Sequence, residues 1–262
     1  MTFKGEYSIT EEELNHYHEP GELYPREENI IETVRRGFYD KEAGVDRASF
    51  LPLKSKKTAF LVVDLQNDMV RPDAFNFCPD AHRMIPRVKA VLQRCRAVGV
   101  RPVYIKHCHD PRVGGKYWDL GHRKWLPRFV DYVMERGHGI CGTEGTEIFP
   151  AIAPLPNEKV VHKHRWDGFV GTDLDVTLRG MDADTLIFSG AFAEACVEST
   201  ARHAAELGYK VIYVSDLTAS QLPEQHAAAI GRMRRLVGLV MTSDEILTEL
   251  ASLPLAKTDE RS

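Results

Sequence analysis

An α/β fold built on a parallel sheet is what this sequence predicts, and three observations point to it. Short apolar runs of strand composition alternate with helical patterns from residue 57 onward, as in chained parallel βαβ units. The first of these runs holds five consecutive apolar residues, 59–63, the composition of a strand buried on both faces. Several runs hand over to polar or reactive side chains at their carboxyl ends, where open α/β sheets bind ligands.

Taken in order, residues 1–50 read as an N-terminal arm rich in Glu, Tyr and His. Thr10 and Glu13 have capping-box spacing, so a short helix from about Glu11 is expected. Ile30, Ile31, Val34 and Phe38 outline a second helix, but the arm has too few apolar residues for its own core. The main domain, residues 51–255, opens with the strand in TAFLVVDLQND, then a helix over 84–98, Gly99 and the strand RPVYIKH. A long irregular section, 110–157, follows; loops of that length in a compact domain tend to carry function. It holds Tyr117, Trp118 and Trp125, with a helical pattern near 129–134. Beyond it the rhythm resumes. EKVVHKH, TLIFSG, YKVIYVSD and GLVMTS bring the strands to six, with helices near DLDVTLRG, after Cys196, near EQHAAAIGRMRRL and at DEILTELAS. Residues 256–262 read as a tail.

Composition narrows the function. With 262 residues and 43% hydrophobic content, the chain can bury a large core. A net charge of −4 offers no basic field for nucleic acid or anionic lipid. The apolar runs are too short to cross a bilayer, and MTFKGEYSITEEELN lacks the apolar core of a secretory signal. The five cysteines include no CxxC pair and read as reduced thiols in a cytoplasmic setting.

Three residues then stand out. Asp64 ends the first strand, Lys163 the third, and Cys196 stands where the fourth strand passes into a helix. A thiol at a helix start feels free N–H groups that favour its thiolate. A cysteine among small apolar residues is otherwise an inert core residue. With strand one between three and four, all three side chains converge. A carboxylate, an ammonium and a thiol in one pocket suit acyl transfer, the carboxylate moving the thiol proton to a departing amine.

The stretches LVVDLQND, KHRWDGFVGTDLDVTLRG and FSGAFAEACVESTARHAAELGYKVIYVSD resemble the isochorismatase-like cysteine hydrolases, a superfamily that includes nicotinamidases, N-carbamoylsarcosine amidase and ureidoacrylate amidohydrolase. The resemblance implies a six-stranded parallel sheet of order 3-2-1-4-5-6 with helices on both faces, a Rossmann-like three-layer sandwich. It makes Asp64, Lys163 and Cys196 the catalytic set. It implies a cis peptide at Ala191–Phe192 and an oxyanion hole from the backbone N–H groups of Phe192 and Cys196. It also implies a homodimer or homotetramer acting on a small amide or ureide, with no cofactor. One departure is Asp167, where the family's middle motif usually carries Ser.

Secondary candidates surround this set. Gln66, His107, Tyr117, Trp118, Arg165 and Phe192 are expected to face substrate, and Asp68 to cap the first strand–helix turn. His107, His109 and Asp110 lack the spacing of the nicotinamidase metal motif, so no metal is expected. The favoured reading is an amidohydrolase that releases ammonia from a small linear amide, ureide or carbamoyl compound. The alternatives are vinyl-ether hydrolysis, against which Cys196 argues, and a catalytically silent binding protein.

Overall fold

Strand β1, Thr58–Val63, is buried along its whole length and organises everything else. The computed structural model describes residues 45–74, 76–110 and 139–256, all within one unit, Gly44–Ser262. The expected arm helices, Tyr117, Trp118, Trp125, the 129–134 pattern and all but the first residue of the tail lie outside the described residues.

In chain order the elements are β1, α1 (Asn67–Val70), α2 (Pro79–Val98), β2 (Arg101–His107), β3 (Lys159–Lys163), α3 (Leu174–Gly180) and β4 (Thr185–Ala191). A single π-helical turn, Ala193–Val197, leads into α4 (Glu198–Glu206), followed by β5 (Lys210–Ala219), α5 (Pro223–Leu236), β6 (Leu239–Met241) and α6 (Ser243–Ala251). The six strands form one sheet in the order β3-β2-β1-β4-β5-β6, every pairing parallel. This is the order the sequence implied.

Alternation along β1 splits the core into two layers. Phe60 and Val62 join Val88, Val91 and Leu92 of α2 and Ile246 and Leu250 of α6 on one face. Ala59, Leu61 and Val63 join Leu174 and Leu178 of α3, Ala201 and Ala204 of α4 and Met233 of α5 on the other. A strand with apolar residues at both parities needs helices on both sides, and the chain supplies them. Packing β4 against β1 leaves no room for a side chain at Gly190: a Cβ there would stand 2.1 Å from the Val63 carbonyl oxygen.

Two boundaries differ from expectation. Helix α2 begins at Pro79 rather than near Met84, because proline at the first helical position has no N–H to leave unsatisfied and Asp80 favours the helix start. Strand β5 runs to Ala219: past a register irregularity it pairs again, Gly190 with Thr218 and Ala191 with Ala219. The sequence DLTA carries no alternation that announces this. Residues 45–50, the end of the expected arm, lie against the sheet domain; Phe50 packs on the core and Arg47 donates to Glu245 at 3.2 Å. The backbone N–H of Ala256 donates to the Ala97 carbonyl. Among the described residues, no helix is long and apolar enough to cross a membrane.

Candidate active site

Parallel pairing sets the carboxyl ends of β1, β3 and β4 on one edge of the sheet, and the three expected side chains meet there. Lys163 Nζ lies 2.8 Å from Asp64 Oδ2 and 3.2 Å from Cys196 Sγ. It also donates to the Arg165 carbonyl at 3.0 Å and stands 3.4 Å from His107 Nδ1. Asp64 and Lys163 are wholly buried and Cys196 is 5% exposed.

Each residue is set by its element. Asp64 follows the last residue of β1, with its N–H on the Ile105 carbonyl and a φ of 52°. That left-handed conformation is uncommon outside glycine and clusters at functional sites. Lys163 is the last residue of β3, paired with His107 of β2. Cys196 sits inside the π-helical turn, a local form frequent at functional sites. The Cys196 carbonyl accepts from Thr200 Oγ1 at 2.6 Å, and Thr200 Oγ1 in turn accepts from the Gly168 N–H at 2.9 Å. The loop after β3 is thereby bolted to the cysteine helix. The peptide between Ala191 and Phe192 is cis, as the resemblance implied.

Burial dominates the electrostatics. It raises the Asp64 carboxyl above the usual range, outweighing the nearby ammonium. Asp64 Oδ2 is in ionic contact with Lys163, and Lys163, Cys196 and the His107 backbone all work to lower the carboxyl without overcoming burial. Burial would depress the Lys163 ammonium, yet Asp64 and Cys196 carry it upward, so it stays charged. The Cys196 thiol is pushed up to about 12, first by burial, with Lys163 pulling the other way and Asp64 adding to the rise. The expectation that the helix start favours a thiolate is therefore corrected. Desolvation of the anion outweighs the partial charge of a helix terminus, so the resting sulfur is a thiol.

The secondary candidates divide. Gln66 is buried, and its side chain is spent on the main chain: Nε2 donates to the carbonyls of His107 and Thr146 at 2.8 Å each, and Oε1 accepts from the His107 N–H at 2.7 Å. It is a clasp holding β2 to the returning chain. Asp68 does not cap α1, which has no side-chain cap; its Oδ2 accepts from the Gly139 N–H at 2.8 Å. His107 is buried, with Nε2 3.0 Å from Nε2 of His109. Arg165 donates through Nη1 to the His164 carbonyl. Phe192 is half-buried beside the α2-side core.

Asp167, the departure in the middle motif, has a role the sequence reading missed. Its Oδ1 accepts from the Phe169 N–H at 2.8 Å and its Oδ2 meets His203 Nδ1 of α4 at 2.5 Å. His203 lies three residues beyond Thr200, one helical turn on, which was the available signal.

The expectation of reduced thiols throughout is also corrected. Cys108 and Cys141 form a disulfide with their Cα atoms 5.0 Å apart. Backbone bonds make the pairing: His109 N–H donates to Gly139 and Cys141 N–H to the His109 carbonyl. Cys78, Cys95 and Cys196 are free and buried.

Comparison with known proteins bears on this arrangement. A family model, the Isochorismatase domain, matches residues 58–245. The chain is 27% identical over 219 residues to the ureidoacrylate amidohydrolase RutB of Stutzerimonas stutzeri, covering 78% of this chain and 87% of that protein. The structure of a cysteine hydrolase from Pseudomonas syringae pv. phaseolicola superposes with a TM-score of 0.69 at 26% identity, covering 77% of this chain and 96% of that one. N-carbamoylsarcosine amidase from Thermoplasma acidophilum superposes with a TM-score of 0.59 at 26% identity, covering 72% and 97%.

Proposed function

This chain belongs to the isochorismatase family of hydrolases, and from that premise we propose that it is a cysteine-dependent amidohydrolase. It cleaves the C–N bond of a small linear amide, ureide or carbamoyl compound, releasing ammonia through an acyl-thioester on Cys196. The observation that carries the reading is one buried ammonium, Lys163, within 3.2 Å of a thiol and 2.8 Å of a carboxylate. The names of the ureidoacrylate amidohydrolase and N-carbamoylsarcosine amidase relatives support the substrate class.

The protons follow from the charges. A thiol held at about 12 needs a base at the moment of attack, and Asp64, more basic than an ordinary carboxylate, takes that proton. Lys163 compensates the negative charge as it passes from carboxylate to sulfur. The thiolate adds to the carbonyl carbon, and the backbone N–H groups of Phe192 and Cys196 hold the oxyanion. The C–N bond breaks as Asp64 returns the proton to the leaving nitrogen, and ammonia departs. Asp64 then deprotonates a water that attacks the thioester. The acid leaves and the sulfur regains its proton.

Ammonia release across a panel of small amides and ureides tests the reading. The wild type turns over at least one, and Cys196→Ala lowers kcat by about 10⁴-fold or more. Mass spectrometry under substrate finds the acyl adduct on Cys196 alone. Near-full activity in Cys196→Ala sinks the proposal. We also propose, as the resemblance implied, a homodimer or homotetramer; exposed Val170 and Val176 support a buried surface in the assembly. A monomeric mass by light scattering removes the oligomer.

A further inference from the structure

Cys196 and Lys163 reach the hydrolytic centre on segments that do not pair with each other. The sulfur arrives on the π-helical turn before α4 and the ammonium on the last residue of β3, with β2 and β1 between β3 and β4 in the sheet. Strand pairing therefore does not by itself set their 3.2 Å contact. Thr200 joins the two segments. It lies four residues after Cys196, one helical turn on and on the same face, and is wholly buried. Its single hydroxyl works in both directions, donating to the Cys196 carbonyl at 2.6 Å and accepting from the Gly168 N–H at 2.9 Å. Gly168 belongs to the loop that follows Lys163, and in the same loop the Arg165 carbonyl accepts from Lys163 Nζ at 3.0 Å. The Gly168 carbonyl in turn accepts from Thr172 Oγ1 at 2.6 Å, so this residue is gripped at both ends. The approach is close: a Cβ on Gly168 would stand 3.0 Å from Thr200 Cγ2 and 3.2 Å from Ile105 Cδ1. A hydroxyl that donates to the carbonyl four residues back also bends a helix, and here the bend falls at the turn that presents the sulfur. A second tie, Asp167 to His203, joins the same loop and helix further out, where both side chains are partly exposed.

We propose that Thr200 is a positioning residue for the hydrolysis: its hydroxyl sets the separation of the Lys163 ammonium and the Cys196 sulfur by locking the loop after β3 to the cysteine turn. The proposal rests on the reading of Cys196 as the nucleophile. Thr200 takes no part in proton transfer and forms no bond to substrate; it acts through the Cys196 carbonyl and through Gly168. Without the hydroxyl, a buried carbonyl and a buried N–H both lose their partner, and the loop and helix move apart to recover hydrogen bonds. The sulfur then lies further from the ammonium, which supports its thiolate less well. The same displacement moves the sulfur from the line along which it meets the carbonyl carbon. Both effects fall on the chemical step, and neither alters the groups expected to face substrate.

The test compares full-length Thr200→Val, which keeps the shape and removes the hydroxyl, with Thr200→Ser, which keeps the hydroxyl. Thr200→Ala is carried beside them, so the comparison stands if the valine chain folds poorly. Two quantities are measured well below the unfolding temperature of each chain. The first is kcat and KM for an amide that the wild type hydrolyses. The second is the rate at which iodoacetamide alkylates Cys196 at mildly alkaline pH, with the adduct located by mass spectrometry. Thr200→Val and Thr200→Ala should lower kcat about tenfold or more with KM little changed, since a small misplacement at the reacting atoms is costly. Thr200→Ser should recover most of that loss. Alkylation separates positioning from mere loosening, because the two move it in opposite directions. A looser fold exposes the buried thiol and speeds alkylation, whereas a sulfur drawn away from the ammonium carries less thiolate and reacts about fivefold more slowly. Asp167→Ser, which cuts only the outer tie, should leave both quantities within about twofold of wild type. Wild-type kcat in Thr200→Val or Thr200→Ala, or faster alkylation in either, overturns the proposal. So does a serine chain as impaired as the valine one, or an equal loss in Asp167→Ser. Alkylation needs no substrate, so failure of the amidohydrolase reading, seen with Cys196→Ala, is told apart from failure of the Thr200 assignment.

Discussion

Two regions share the carboxyl edge of the sheet and are held together in opposite ways. At the ends of β1, β3 and β4, Asp64, Lys163 and Cys196 are buried and bound to one another mainly by charge. At the end of β2, the neighbouring strand on the same edge, the returning chain is held mainly by uncharged grips, the Gln66 side chain on main chain and the Cys108–Cys141 bond, beside the Asp68 bond to the Gly139 N–H and one half-exposed ion pair, Lys106 to Glu147. In the first region every group depends on its partners' charge. In the second each clasp acts alone. The contrast separates what the molecule needs for chemistry from what it needs to hold shape.

The largest effect should come from breaking the charged region one partner at a time. Lys163→Met leaves a buried carboxylate uncompensated and should cost about 3–5 kcal/mol in urea unfolding, with activity lost. The double variant Asp64→Asn, Lys163→Met should recover most of that stability and none of the activity. A single variant as stable as wild type would show that charge does not hold this region.

Next comes a clasp. Gln66→Ala strips the partners from the His107 N–H and from two carbonyls, and should cost about 1–3 kcal/mol. Because no charge is involved, this cost should not change with pH between neutral and mildly alkaline buffers. A marked pH dependence would erase the distinction between the regions.

The thiol supplies the converse. Its folded value, about 12, lies above a free thiol's 9.0. Above pH 9 the unfolded chain therefore gives up this proton while the folded chain keeps it, and stability falls as pH rises. The slope should be about 1.4 kcal/mol per pH unit relative to Cys196→Ala, which lacks the group. Parallel pH–stability curves for the two proteins would mean that folding leaves the thiol's proton affinity unchanged, and a stability that rises with pH below 9 relative to Cys196→Ala would mean that the sulfur is already a thiolate in the fold.

The smallest effect is expected at Asp167→Ser, which restores the usual residue of the middle motif. Serine can still accept from the Phe169 N–H, while the contact with half-exposed His203 is lost. Thermal unfolding should register less than about 1 kcal/mol. A loss several times larger would make Asp167 part of the charged region instead of its outer brace.

The charged region was the legible one. Asp64, Lys163 and Cys196 stand at strand ends, and strand ends follow from apolar runs that can be read directly. What the sequence withheld was protonation, because a thiol's proton affinity depends on how completely the folded chain excludes water. The clasps were withheld for a different reason. Nothing local marks Gln66 as a main-chain partner of His107, 41 residues away, or pairs Cys108 with Cys141 across 33 residues. Asp68 looks like a cap by position and acts on Gly139, a partner only the returning chain can supply. The sheet order was fixed by resemblance, since alternation alone does not choose which strands are neighbours.

Strand β3 is five residues long, and its exposure alternates at the end, with Val161 and Lys163 buried and His162 exposed. Removing one residue inside it would carry His164 into the position of Lys163 and turn the ammonium outward, while the hydrogen-bond ladder to β2 could still form. The chain between β2 and β3 is under no such restriction, since its closure cost grows only slowly with length. Changes of length are therefore expected to be tolerated in the connections and not within β3, whose residue count decides which side chain meets Asp64 and Cys196.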